Sequence, residues 1–397
     1  MWVRMSFLKG HFSFLACLSL FAFAGGAFAQ QPVSSDAKPA AAAAAPVIPS
    51  PAPSHDAKPS STQPPVASTQ PPAQQPTVPG LDPKTLKPLY ETIQEDWSSL
   101  QIGASKLEPQ PPVPGEYDDT HPTFIRSSTQ LQWRPGDPID LWIVTPKNVK
   151  QPPVVIYLYG PDADKRRFRD DTWATHVTAG GVAAVAFYPA LVGPRFHDRP
   201  LKQNIFSEMQ EALGSTVHDV KFVLDYLAST GKFDMNRVGI FGAGWGGSIA
   251  ILSAAGDSRI KAVDALEPWG DWPVFLAKSP LLDPDPDRAA YAKPEFLEKV
   301  APLDPVKWLP DLKIPVRIQQ IHETEVSPEE CKDAIQAAAP KQTELVRFAT
   351  LADIGRREGG GRLFEWVKEK LQPAPGAGSA RLAVAEKPAD ARAVTKN

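Results

Sequence analysis

The sequence predicts an α/β protein: a mostly parallel central sheet with helices on both faces, an antiparallel hairpin at one edge and a small cap insertion. Three observations carry this. Along residues 124 to 371, short apolar runs such as Val154 to Leu158 and Val316 to Ile321 alternate with longer stretches of helical period. Near the start of that region two apolar runs are joined by a turn cluster instead of a helix. Further on, a short apolar strand passes through closely spaced glycines straight into a helix.

Taken in order, Phe124 to Trp133 and Ile139 to Val144 flank Arg-Pro-Gly-Asp-Pro and read as the hairpin. Val154 to Leu158 is a continuous apolar run ending at Tyr159-Gly160-Pro161, as a buried strand opening into a loop does. A helix around Phe168 to Ala179 stops at Gly180-Gly181, and Val182 to Tyr188 is the next buried strand. A long helix is expected from about Phe206 to Thr230, with Val217, Val220, Val223, Leu224 and Leu227 as its buried stripe. The strand Arg237 to Gly242 and a helix from Trp245 follow, then strands Ala262 to Leu266, Val316 to Ile321 and Glu344 to Phe348. Helices are placed near Pro328 to Ala338 and Glu358 to Leu371. Upstream, Leu86, Leu89, Tyr90, Ile93, Trp97 and Leu100 have amphipathic helical spacing, so residues 81–123 read as a helical N-terminal extension.

The two ends have a different composition. Arg4 and Lys9 precede an apolar run from Phe12 to Ala24, and small residues at Ala27 and Ala29 fit signal-peptidase cleavage before Gln30. Residues 1–29 are therefore expected to be a secretory signal, and the protein periplasmic or secreted. The apolar run is shorter than a spanning helix requires, so no stable membrane span is expected. Phe14 and the position of Cys17 before most of that run argue against lipid attachment. Residues 30–80 form a Pro/Ala-rich tether, with 13 prolines between positions 31 and 80 and almost no large apolar side chains. Such a stretch buries too little surface to offset its ordering entropy. Residues 372–397 read as a second disordered tail. Once the signal is removed only Cys331 remains, which excludes an internal disulfide and a cysteine-ligated metal site. With 42 basic and 45 acidic residues and a formal charge of −3, the chain has no basic block suited to nucleic acid or anionic membrane.

The most informative stretch is Asn236-Arg237-Val238-Gly239-Ile240-Phe241-Gly242-Ala243-Gly244-Trp245-Gly246-Gly247. It resembles the nucleophile elbow, G-x-S-x-G, of the α/β-hydrolase superfamily, in the prolyl-oligopeptidase-like and dienelactone-hydrolase-like branch. The resemblance extends over about residues 124 to 371. It includes Tyr159-Gly160-Pro161, Leu303-Asp304-Pro305 and Ile314-Pro315. It implies the α/β-hydrolase fold and a catalytic triad, and the triad is degenerate. The nucleophile position holds Gly244, which tolerates the strained turn but offers no attacking oxygen. Ser248, one helical turn on, is the fallback nucleophile, at a position that normally points into helix packing.

After the strand Val316 to Ile321, the resemblance places the triad acid at Glu323, with Glu325 as second candidate; read as residues alone, both are solvated loop carboxylates. His322 matches a structural histidine of the family rather than a base. The triad histidine belongs within Thr350 to Arg356, where Ile354 stands, and no histidine follows His322 anywhere in the chain.

The oxyanion apparatus has candidates left. The backbone N–H of Trp245 follows the nucleophile position, and Tyr159 matches a family tyrosine that supplies a second donor; Tyr159 is equally a packed aromatic at a strand end. Pro268-Trp269-Gly270-Asp271-Trp272-Pro273 lies past the strand Ala262 to Leu266, at the edge where α/β sheets place ligands, and opens a Pro- and Asp-rich cap over about residues 270 to 301. Trp245, Trp269 and Trp272 either line a pocket or staple the cap to the core, and His197 is placed facing the same crevice. No cofactor or metal is expected. The sequence reading is a non-catalytic binding protein for a small molecule, a peptide or another protein. The alternatives are a divergent ester- or peptide-bond hydrolase with a relocated nucleophile or a water activated by Glu323 or His197, and a structural partner using only surface and tether.

Overall fold

Apolar strands bounded by glycine and proline assemble here into one mixed sheet. The structure, a computed structural model, describes residues 95–103, 105, 107–159, 167–192, 195, 205–283, 285–322, 324 and 326–373. The signal segment, the tether, residues 374–397 of the tail, and His197, Glu323 and Glu325 lie outside the described residues. The strands are β1 (Val113–Thr120), β2 (Phe124–Arg134), β3 (Asp137–Pro146), β4 (Val154–Leu158), β5 (Ala183–Ala186), β6 (Val238–Ala243), β7 (Ile260–Leu266), β8 (Val316–Ile321) and β9 (Glu344–Phe348). Their order is β1-β2-β3-β5-β4-β6-β7-β8-β9. β1, β2 and β3 pair antiparallel, as do β3 and β5, and every pairing from β5 through β4 to β9 is parallel.

The period-2 alternation of strands sorts the core onto two faces. Val154, Ile156 and Leu158 of β4, with Val238 and Ile240 of β6, face the helices Met209–Thr230 and Trp245–Gly256. Val155, Tyr157 and Phe241 face the other way, toward the helices Asp171–Thr178 and Glu365–Lys370 through Trp173, Val177, Phe364 and Val367. The expected stripe of the long helix is buried throughout, and that helix ends at Gly231 with φ 63°, a left-handed cap glycine adopts without a Cβ penalty.

Three expectations are corrected. Of the helix expected around Leu86 to Leu100, Leu86, Leu89, Tyr90 and Ile93 lie outside the described residues, and residues 95 to 103 form turns. They are held by tertiary contacts: Glu95 pairs with Arg134, His218 bridges the Glu95 carboxylate and the Ser99 carbonyl, and Leu100 is buried. The extension also contains an unforeseen edge strand, β1, whose Pro, Gly and Asp residues and register shift hide its period in the sequence. Finally, the helix expected over Glu358 to Leu371 is two helices, Leu351–Gly359 and Glu365–Lys370, interrupted at Gly360 and Gly361, the latter at φ 74°. The cap region folds as short helical pieces, Trp272–Lys278, Pro280–Leu282, Arg288–Tyr291 and Pro294–Val300, which bury Trp272, Phe275, Leu282 and Val300 in the main core.

Candidate functional site

The elbow is built by backbone crowding. β6 ends at Ala243, the helix starts at Trp245, and Gly244 at φ 56°, ψ −120° is the whole turn. Few side-chain-bearing residues adopt that conformation without cost. A Cβ on Gly242 would lie 2.0 Å from the Gly246 carbonyl oxygen, and one on Gly246 2.2 Å from that of Leu158, so both flanking glycines are obligatory. The Gly244 N–H donates to the Leu266 carbonyl at 2.8 Å, which ties the apex to the end of β7.

The apex faces an indole. A Cβ on Gly244 would meet Trp269 Cζ2 at 3.4 Å, Cε2 at 3.5 Å and Nε1 at 3.6 Å. Trp269 stacks on Phe275, with ring centroids 5.1 Å apart, and meets Trp245 edge-on at 6.0 Å; Trp245 in turn lies 6.3 Å from Trp272. The three tryptophans expected at the crevice are thus brought together, and they pack on one another. Trp272 is fully buried and its Nε1 donates to the Leu303 carbonyl at 3.0 Å. Asp304 accepts the N–H groups of Asp271, Trp272 and Val306 and fixes the Trp-bearing segment to the Pro305–Trp308 turn of helix.

The other sequence candidates are placed as follows. Ser248 is fully buried; its hydroxyl donates to the Trp269 carbonyl at 2.7 Å and accepts the Trp269 N–H at 3.0 Å, so it pins the Trp269 backbone to the elbow helix. Ile354 is buried inside the helix Leu351–Gly359, in the core face that includes Phe348 and Phe364, where the family's histidine loop was expected. His322 is exposed, and its backbone N–H donates to the Phe348 carbonyl at 2.8 Å. Tyr159 is buried on that second face; its ring lies 4.2 Å from the Arg167 guanidinium, its oxygen accepts Trp173 Nε1–H at 3.3 Å, and burial pushes its phenol well above the usual range. Its ring also packs beside Tyr157 and Phe241.

Glu267, one residue beyond β7, is the side chain that sequence reading passed over. It is 4% exposed and holds φ 48°. Its Oε2 accepts the Ile321 N–H at 2.7 Å, Oε1 has no hydrogen-bond partner, and Lys332 Nζ stands 3.9 Å away. Burial pushes its carboxyl up to about 7, against the opposing pull of the Ile321 N–H and Lys332. The available signal was a lone carboxylate between an apolar strand end and Pro268. Because the folded state holds this proton more tightly than the unfolded chain, the stability Glu267 contributes is complete below about 4.5 and is lost as pH rises through about 7. Glu267→Gln, which keeps the acceptor for Ile321, is expected to gain on the wild type by about 3 kcal/mol between those limits, read by urea unfolding at pH 4.5 and pH 8. Parallel pH profiles for the two proteins contradict the assignment.

Comparison with known proteins agrees with this geometry. The dienelactone hydrolase family model matches residues 139–277, from β3 through the elbow to the Trp272–Lys278 helix. Among solved structures, an acetyl xylan esterase from Paenibacillus sp. R4 superposes with a TM-score of 0.50 at 20% identity, covering 68% of this chain and 90% of that one. Acetyl xylan esterase 1 from Thermoanaerobacterium sp. JW/SL YS485 gives a TM-score of 0.49 at 16% identity, with 66% and 90% covered. The acylaminoacyl peptidase of Pyrococcus horikoshii gives 0.47 at 14%, and this chain spans 42% of its length. A search of the curated proteins finds no match. The protein has the α/β-hydrolase fold, and its residues 139–277 are similar to the dienelactone hydrolase family.

Proposed function

We propose that this is an exported, periplasmic or secreted, α/β-hydrolase-fold protein that has given up serine-hydrolase chemistry and acts by binding a small molecule, a peptide or another protein. The observation that carries the reading is Gly244 at the elbow apex: the turn conformation that presents a nucleophile is kept, and no side chain stands on it. Ser248 supports it, because both hydrogen-bonding directions of its hydroxyl are spent on the Trp269 backbone. Ile354 supports it further, since a buried position within a helix does not present a base to the elbow. The similarity to acetyl xylan esterases contributes the fold and leaves the reaction to be decided by the site.

Fluorophosphonate labelling of the purified protein, with the adduct located by mass spectrometry, tests this. No adduct is expected. Gly244→Ser alone restores a hydroxyl without a base and is expected to react about a million-fold more slowly than a complete triad. A stoichiometric adduct on Ser248 or any other serine of the wild type overturns the reading. One observation favours a second reading, a hydrolase that activates water: the Glu267 carboxyl, titrating near neutrality at the carboxyl end of β7, has the properties of a general base. Ester hydrolysis abolished by Glu267→Gln in an otherwise folded protein would establish it.

A further inference from the structure

The parallel strands β6 to β9 give the sheet two rims, and the elbow follows the carboxyl end of β6 on one of them. A cavity of about 320 Å³ lies on the opposite rim, where Val316 and Glu344 are the first residues of β8 and β9. Its walls come from Lys313, Ile314 and Pro315 before β8, Gln342 before β9, and Trp366 and Lys370 on the helix Glu365–Lys370. Three charged side chains line it without a counterpart. Lys221, Lys278 and Lys332 each pair with a carboxylate, whereas among the described residues neither Lys313 nor Lys370 does. The Lys313 ammonium reaches only the Pro310 carbonyl, at 3.4 Å, and that of Lys370 lies 5.3 Å from the centre of the Trp366 ring. Glu344 accepts the Trp366 indole N–H with Oε2 at 2.6 Å and, among the described residues, pairs with no cation. Trp366 is 7% exposed, and the buried Arg317 guanidinium, fixed by Asp264, lies 5.2 Å from the same ring. One packed indole therefore carries an ammonium and a carboxylate, unpaired with each other, on the wall of one cavity.

We propose that this cavity binds a small zwitterion with an apolar body, of the size and kind of a free apolar amino acid. Lys313 and Lys370 take its carboxylate, Glu344 and the Gln342 side-chain carbonyl take its ammonium, and Ile314, Pro315 and Val316 face its body. The charges decide the class. A simple anion drawn to the two ammonium groups meets the Glu344 carboxylate on the same wall, and a simple cation drawn to Glu344 meets the two lysines. An uncharged apolar molecule desolvates all three charges and pairs none of them. A molecule carrying both signs satisfies each, and discrimination against the other classes follows from the charges they leave unmatched. The volume sets the size, since about 320 Å³ is at the small end of ligand cavities. Lys313, Gln342, Glu344 and Lys370 are exposed, so the ligand enters from solvent directly and its charge pairs stay partly hydrated. Binding is accordingly expected to be weak, about millimolar. The site is separate from the elbow and stands whether or not the elbow has kept a reaction.

The test is nitrogen-15 NMR of the full chain at low salt, with the Trp366 indole signal, assigned through its backbone, as reporter. L-Leucine is the probe; 4-methylpentanoate lacks its ammonium, 3-methylbutylamine lacks its carboxylate, and glycine lacks its apolar body. Leucine is expected to move the Trp366 signal saturably and to leave the Trp245 and Trp269 signals at the elbow in place. Each of the three analogues is expected to bind about fivefold more weakly or worse. Lys370→Gln and Glu344→Gln are each expected to lower leucine affinity by about fivefold. Both positions are exposed, and glutamine at 344 keeps an acceptor for the Trp366 N–H, so the variants retain the fold. Glu344→Gln is further expected to bind leucine and 4-methylpentanoate alike, which a general loosening of the cavity would not produce. The proposal is overturned if the Trp366 signal does not respond saturably to leucine, if any analogue binds the wild type as well as leucine does, or if both variants bind leucine as the wild type does.

Discussion

Asp219→Ala is expected to cost about 3–5 kcal/mol of stability and to lower the melting temperature by about 10 °C. Asp219 is fully buried on the long helix Met209–Thr230, and one carboxylate serves three donors. Its Oδ1 accepts from Arg134 and from Trp133 Nε1, and its Oδ2 accepts Arg195 Nη1 at 2.7 Å. Arg134 also pairs with Glu95, and Arg195 with Asp137. The network thus ties β2, β3, the long helix and the N-terminal segment together. Burial works against the Arg134 charge and the neighbouring carboxylates outweigh it, holding the guanidinium above its ordinary range. Removing Asp219 takes a shared carboxylate from two buried guanidinium groups and from the Trp133 N–H, leaving Arg134 with Glu95 and Arg195 with Asp137, and breaking a buried network from one side is the expensive case. The exposed Lys278–Glu330 pair is the control: Lys278→Ala is expected to cost less than about 1 kcal/mol. Urea unfolding of both variants at pH 7 checks the contrast, and equal small losses would mean the network adds nothing beyond surface pairs.

Gly246→Ala is expected to destabilise by about 3 kcal/mol or more, although it adds a single methyl group. The obstacle is backbone: the new Cβ would stand 2.2 Å from the Leu158 carbonyl oxygen and 2.8 Å from its carbon, and neither atom can move without breaking the β4–β6 pairing. Gly244→Ala next door is a different case. Its Cβ meets only Trp269 at ordinary contact distance, so its cost is the φ of 56°, about 1–3 kcal/mol. Gly103→Ala, with no atom within 4 Å of the new Cβ and no positive φ, is expected to change stability by less than about 0.5 kcal/mol. Thermal unfolding of the three variants tests this order. Any other ranking means that the elbow is less crowded than the structure has it.

Much of the architecture was legible in the chain. Strands β4, β8 and β9 fall where their apolar runs begin and end, and the stripe of the long helix is buried as its spacing requires. Those segments are read easily because local pattern and final burial agree. β1 was not legible, because an edge strand with one solvated side has no need of an apolar run, and Val113–Thr120 keeps Pro, Gly and three acidic residues. The N-terminal segment misled for the opposite reason. Trp97 and Leu100 have helical spacing, but residues 95 to 103 are shaped by Glu95 reaching into the ion network and by close approaches to Gly214 and Gly256, contacts over a hundred positions away.

For the site, the division is sharper. That position 244 is glycine, that no histidine follows His322 and that the elbow glycines surround the apex are properties of the sequence alone, because they are questions of which atoms exist. What those atoms face is set by tertiary packing. Only the folded chain brings the N–H edge of Trp269 to within 3.6 Å of the place a Gly244 side chain would occupy, turns Ser248 into a clasp on the Trp269 backbone, and buries Ile354 in a helix. The same holds for Glu267, an unremarkable carboxylate in the sequence whose titration near 7 arises from burial between the ends of β7 and β8. Residue identity fixes which chemistry is absent; burial and the orientation of donors, which depend on segments distant along the chain, decide what the remaining surface can hold.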